Sequence, residues 1–235
     1  MKLDIKGMIT NDDDAEIYRD WLGMTVTSPT DILGNLPTDG SDLEIGINSG
    51  GGEVDAANEI YTALRNYPGK VITQIESSAY SAASIIAMAG DTVQISPVAQ
   101  LMIHNASTYA GGNHNDLDKT SNALKSTDKA IAKAYSVKTG RPVDEFLALM
   151  DKETWINADD ALELGLVDEV MTFEKEPVTN SVNNVLPRKV INRIKDLVDE
   201  NQKLKTNATD GQPSEHDKLV QAKLAILRKQ GEKHD

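Results

Sequence analysis

Val71-Ile72-Thr73-Gln74-Ile75-Glu76-Ser77-Ser78-Ala79-Tyr80-Ser81-Ala82-Ala83-Ser84-Ile85-Ile86-Ala87-Met88-Ala89-Gly90-Asp91 holds the fold in miniature. Val71 to Ile75 is rich in β-branched residues and reads as a strand. Ser81 to Ala89 is small and apolar on every side, the pattern of a buried helix, and Gly90-Asp91 ends it. Short strands are expected next at Thr92–Ser96 and Leu101–His104.

The same alternation extends in both directions. Leu3 to Ile9 reads as a first strand, and Asn11-Asp12-Asp13-Asp14 offers N-cap side chains to a helix reaching about Val26. Ser28 to Ser41 reads as a loop. Leu43 to Ile47 alternates as a half-buried strand and runs into Asn48-Ser49-Gly50-Gly51-Gly52, a turn before a helix marked by Val54, Ala57, Ile60, Tyr61 and Leu64. Downstream, Leu117, Leu124, Ile131 and Tyr135 predict a long amphipathic helix from Asn115 to Lys138. Helices at Val143–Met150 and Asp159–Leu164 and a strand at Leu166–Met171 follow. Repeated β-α-β units predict an α/β domain over residues 1–173, with a parallel sheet covered by helices. Residues 174–186 read as a linker, and 187–235 as a charged tail, helical or partly disordered.

Composition narrows the function. The absence of cysteine excludes disulfides, thiolate catalysis and cysteine-based zinc sites. Residues 1–173 carry 12 Lys/Arg against 27 Asp/Glu, a balance that disfavours phosphate backbones, so no nucleic-acid partner is expected. The longest apolar stretch, Ala79 to Gly90, is far shorter than the ~20 residues of a membrane span. The N-terminus also lacks the apolar run of a signal peptide, so a cytoplasmic protein without membrane association is expected.

Three features could supply parts of a nucleophilic site. A serine hydroxyl needs a base, a group that orients the base, and N–H donors for the developing oxyanion. Ser81 lies between a strand and a buried helix; a plain helix-capping serine would occupy the same place, and Ser77, Ser78 and Ser84 are nearby competitors. His104 ends an apolar strand, where it could equally be a satisfied core histidine, whereas His114, His216 and His234 have polar surroundings. Asn48 to Gly52 suits backbone amides turned toward an anion, and lacks the Lys-Ser/Thr of a nucleotide loop.

Together these segments resemble the Clp protease family. The oxyanion turn is matched by Asn48-Ser49-Gly50-Gly51-Gly52, the nucleophile segment by Ala79-Tyr80-Ser81-Ala82-Ala83, and the base strand by Met102-Ile103-His104. Glu153-Thr154-Trp155-Ile156-Asn157-Ala158 and Gly165-Leu166-Val167-Asp168 complete the order. The resemblance covers about residues 3 to 172 and implies a serine endopeptidase of the Clp/crotonase-type fold, without cofactor or metal. Ser81 would attack, His104 would take the proton, and the N–H groups of Gly52 and Ala82, supported by Gly51, would hold the oxyanion. Glu153 stands where the family has aspartate, with Asp151 as the alternative. Gly50 replaces a family proline.

The resemblance further implies a homo-oligomeric ring acting on protein or peptide substrates. Met1 begins directly on the expected first strand and a tail is expected after residue 173, which makes the chain look more like the Clp-related head-maturation proteases of tailed bacteriophages. A capsid or scaffold substrate in a bacterial host cytoplasm is then expected, and engagement of an unfoldase ATPase is left open. The competing readings are an ATPase-dependent degradation subunit, a crotonase-type enzyme without a serine nucleophile, and a non-catalytic assembly protein.

Overall fold

β4 (Val71–Tyr80) organises the molecule because it changes neighbours halfway along its length. This computed structural model describes residues 1–173 together with 195, 197 and 198, and the chain falls into two compact units, Met1–Glu174 and Lys175–Asp235. The expected linker and tail therefore lie outside the described residues, apart from those three positions.

One edge of β4 pairs throughout with β3 (Leu43–Gly52), and β3 pairs in turn with β1 (Lys2–Ile9) and β1 with β2 (Val26–Thr27), all in parallel. On the other edge, Ile72–Ile75 pair with β5 (Thr92–Ile95), which is flanked by β8 (Glu169–Val170). Farther along, Ser78–Tyr80 pair instead with β6 (Gln100–Ile103). β6 carries β7 (Thr154–Asn157) on its far side, in the sheet's only antiparallel pairing among the described residues. The result is a six-stranded parallel sheet with a small annex made of the β4 tip, β6 and β7.

Helices α3 (Val54–Arg65), α4 (Ala82–Ala87), α5 (His114–Thr139), α6 (Val143–Met150) and α7 (Ala158–Leu164) share one hydrophobic core with it, giving the α/β architecture expected. Ile5, Ile45, Ile47, Val71 and Ile75 are at most 1% exposed, whereas alternate positions such as Lys2, Glu44, Gln74 and Glu76 remain at least partly accessible. That alternation marks one buried face. Ile60 and Leu64 of α3, Ile85 and Ile86 of α4, and the tilted pair Tyr135–Phe146 complete a mostly aliphatic core.

Four local readings are corrected. The helix begun by Asn11, whose side chain accepts from Asp14 N–H, stops early: α1 spans Asp12–Glu16, and a π-helical turn over Ile17–Trp21 follows. Gly23 then adopts a positive φ, and β-branched Val26-Thr27 joins the sheet edge as β2. The supposed loop at Ser28–Ser41 contains α2 (Pro29–Leu33), started by a proline in its first turn and by Asp31 Oδ2 accepting from Ser28 N–H at 2.9 Å. The final strand is only two residues long, because the amides of Leu166 and Val167 bond the carbonyl of Ala161 at the end of α7. Finally, β7 is an element that helical and strand periodicity did not separate from its surroundings.

Candidate active site

The register of the annex decides which side chains meet. Tyr80 pairs with Met102, so Ser81 N–H bonds Met102 carbonyl at 2.8 Å, just where both strands end. Two residues beyond Met102 stands His104, and its Nε2 lies 2.7 Å from Ser81 Oγ. This is hydrogen-bonding distance for a nucleophile and its base. Both residues are partly buried. Neighbouring serines are occupied otherwise: Ser78 Oγ donates to Asn48 Oδ1, Ser84 Oγ donates to Ser81 carbonyl, and Ser77 is exposed.

Ser81 holds φ 53° and ψ −125°, a conformation that a non-glycine residue rarely adopts. Such strain costs about 1–3 kcal/mol and persists only where the surroundings enforce it. Here β6 grips the Ser81 amide, while Ser84 N–H and Ser84 Oγ grip its carbonyl at 2.9 and 2.6 Å. The hydroxyl is thereby presented at the head of α4.

The glycine segment is the end of β3 rather than a free turn. Gly51 pairs with Met8 and Gly52 with Ile9, while Ser49 pairs with Ala79 on β4. Buried Ser49 locks the segment by donating to Gly7 carbonyl at 2.6 Å and accepting from Gly51 N–H at 3.0 Å. Gly51 has φ 90°, and a Cβ there would stand 2.7 Å from Ser81 Cβ and 3.0 Å from Ala82 N. A Cβ on Gly52 would collide with the carbonyl of Ile9. Only glycine lets β3 lie this close to the nucleophile. Ala82 N–H, in the first helical residue of α4, has no acceptor among the described residues.

The two acidic candidates, Asp151 and Glu153, lie in the turn just before β7. In the antiparallel pairing Ile103 faces Thr154, the last pair of the ladder, and continuing that register one residue past both strand ends would set Glu153 opposite His104. Glu153 is exposed, with φ 50°, and Asp151 accepts from Asn105 Nδ2 at 2.7 Å. Neither carboxylate hydrogen-bonds His104 among the described residues. The base strand is braced beyond the histidine by Ala106 N–H donating to buried Asp128 at 2.7 Å, and β7 is braced by the edge-on contact of Trp155 with Tyr80, centroids 5.0 Å apart.

Two contributors escaped the sequence reading. Ser84 was weighed only as a rival nucleophile, yet it holds the Ser81 carbonyl, and Tyr135, read as a core residue of the long helix, reaches Ser84 Oγ at 2.7 Å. The only sequence signal was a polar residue on an otherwise apolar buried helix.

The Clp protease family model matches residues 33–174, a stretch that contains Ser81, His104 and the glycines of β3. The chain belongs to the Clp protease family. It is similar to the ATP-dependent Clp protease proteolytic subunit 2 of Corynebacterium efficiens, 29% identical over 59% of this chain and 71% of that protein. The subunit 2 of Thermobifida fusca is 32% identical over 56% of this chain and 66% of its own length. The proteolytic subunit of Bacteroides fragilis is 31% identical over 56% and 65%. The alignments thus span roughly two thirds of these relatives. As a member of this family the chain is a serine-type peptidase, a hydrolase. No helix among the described residues is long and apolar enough to cross a membrane.

Proposed function

We propose that the chain is an endopeptidase in which Ser81 is the nucleophile and His104 the general base. The 2.7 Å contact between His104 Nε2 and Ser81 Oγ carries this reading. Ser81 Oγ attacks the peptide carbonyl while its proton passes to His104, which returns it to the leaving amine; water then hydrolyses the acyl-enzyme by the same route. Gly52 and Ala82 N–H groups receive the oxyanion, with Gly51 permitting their approach. Glu153 is assigned to orient the imidazole, on the strength of its register opposite His104, and Asp151 is the alternative already engaged by Asn105.

For biological context we propose a homo-oligomeric ring that processes protein, in the manner of phage capsid-maturation proteases. The supports are the family resemblance and the mixed-charge stretch beyond the matched residues. The relatives' names favour a second reading, a degradation subunit working with an ATPase. Co-expression with a candidate capsid protein discriminates them. Discrete capsid cleavage by wild type and none by Ser81→Ala is the expected result; cleavage by both refutes the catalytic assignment. ATP-dependent digestion of unfolded casein in the presence of an unfoldase, without capsid cleavage, supports the second reading.

A further inference from the structure

Behind the nucleophile runs a chain of buried hydroxyls that the catalytic assignment does not use. Tyr135 is 1% exposed and Ser84 0% exposed, and their oxygens lie 2.7 Å apart. Ser84 Oγ stands 2.6 Å from the Ser81 carbonyl oxygen. A carbonyl can only accept, so the single Ser84 proton points at Ser81, and Tyr135 must donate to Ser84. Burial pushes the Tyr135 phenol up from its ordinary value, which keeps this donor protonated. The direction of the relay is fixed: Tyr135 O–H to Ser84 O–H to Ser81 carbonyl.

The end point of the relay matters because the carbonyl of Ser81 and the N–H of Ala82 belong to one planar trans peptide unit and point in opposite directions. Fixing the oxygen fixes where the N–H aims. Building on the peptidase reading, we propose that Tyr135 and Ser84 are positioning residues: through the 81–82 peptide they aim the Ala82 amide at the oxyanion and hold Ser81 in its left-handed conformation. Tyr135, buried in the long helix α5, is thereby linked to the oxyanion donor through Ser84. Truncating the relay should lower the chemical step and leave substrate binding largely unchanged.

The test uses the full chain and two probes, a fluorophosphonate and fluorescently labelled casein. In the phosphonate reaction Ser81 Oγ bonds to phosphorus, fluoride leaves, and the hydroxyl proton passes to His104. Wild type should be labelled at Ser81; absence of labelling in folded protein overturns the peptidase reading and the relay with it. Ser84→Ala should slow maximal labelling and kcat by about 10- to 100-fold, a share of what an oxyanion donor supplies, with little change in KM. Tyr135→Phe, which leaves Ser84 free to donate, should cost less than about 10-fold.

The double variant separates positioning from packing. Ser84→Ala strands the tyrosine hydroxyl and should lower Tm; adding Tyr135→Phe removes both polar partners and should restore much of it. Activity should stay as low as in Ser84→Ala alone, because the two residues act in series. Recovery of kcat together with Tm, or a loss borne by KM, overturns the relay while leaving Ser81 as nucleophile. So does labelling of Ser84→Ala and Tyr135→Phe at wild-type rates.

Discussion

The two ends of the candidate triad are built in opposite ways. Ser81 is gripped at its amide by Met102, at its carbonyl by Ser84 and on its flank by Gly51, within a layer of buried residues. Glu153 sits on the rim, exposed, in the turn before a four-residue strand, held by its amide bond to the Met150 carbonyl at 3.0 Å. Chemistry that needs sub-ångström placement is supported by backbone and core; the carboxylate proposed to orient the base is left on the periphery.

The largest break in that contrast should come from Gly52→Ala. Its methyl would collide with the Ile9 carbonyl, so the end of β3 must shift away from the nucleophile. Peptidase activity should fall by at least about 100-fold, the scale of losing an oxyanion donor, and Tm should drop. Casein turnover and thermal melting of the same sample check both effects.

On the rim, Glu153→Gln and Asp151→Asn should differ sharply. The first should lower kcat by about 100-fold or more with little change in melting, since a mis-oriented imidazole is costly while an exposed side chain is not. The second should cost less than about fivefold, the scale of an exposed polar contact. A reversal of the two kcat values would hand the orienting role to Asp151.

A pH titration sharpens the core side. Tyr135 has its pKa raised on folding by burial, so the folded state holds that proton more tightly than the unfolded chain does. Its contribution to stability is complete below the unfolded value near 10 and is lost as the pH climbs above it toward the folded one. Wild type should therefore lose stability more steeply above pH ~10 than Tyr135→Phe, as measured by urea midpoints.

The smallest effect is expected at Gly50. A Cβ there meets nothing within 4 Å, and its φ is not positive. Gly50→Ala should add about 0.4–1 kcal/mol by restricting the unfolded chain, with activity unchanged. A drop in activity would show that the flexibility of Gly50 matters to the neighbouring glycines.

The family resemblance singled out Ser81 and His104, whose side chains meet at 2.7 Å, whereas the strand expected to stop at Ile75 runs on as β4 to Tyr80, directly before Ser81. α6 was legible to its boundaries, since Val143–Met150 is bracketed by Pro142 and Asp151. What stayed hidden depends on pairing between distant segments. Thr154-Trp155-Ile156-Asn157 has strand-like residues, yet four residues between two helices give too little periodicity to commit to, and only its pairing with β6 reveals that it belongs to the sheet. The hydroxyl relay was invisible for the same reason: Ser84 and Tyr135 are 51 positions apart.

The fork in β4 has a mechanical corollary. Hydroxyl, imidazole and the proposed carboxylate all hang from the three-stranded annex, whereas the glycines proposed to receive the oxyanion terminate a strand of the main sheet. A tilt of the annex would carry the proton-transfer partners along as a unit and change only their distance to those glycines. Because Ala82 N–H follows Ser81 directly and would travel with it, such a tilt would alter one of the two proposed oxyanion donors and spare the other.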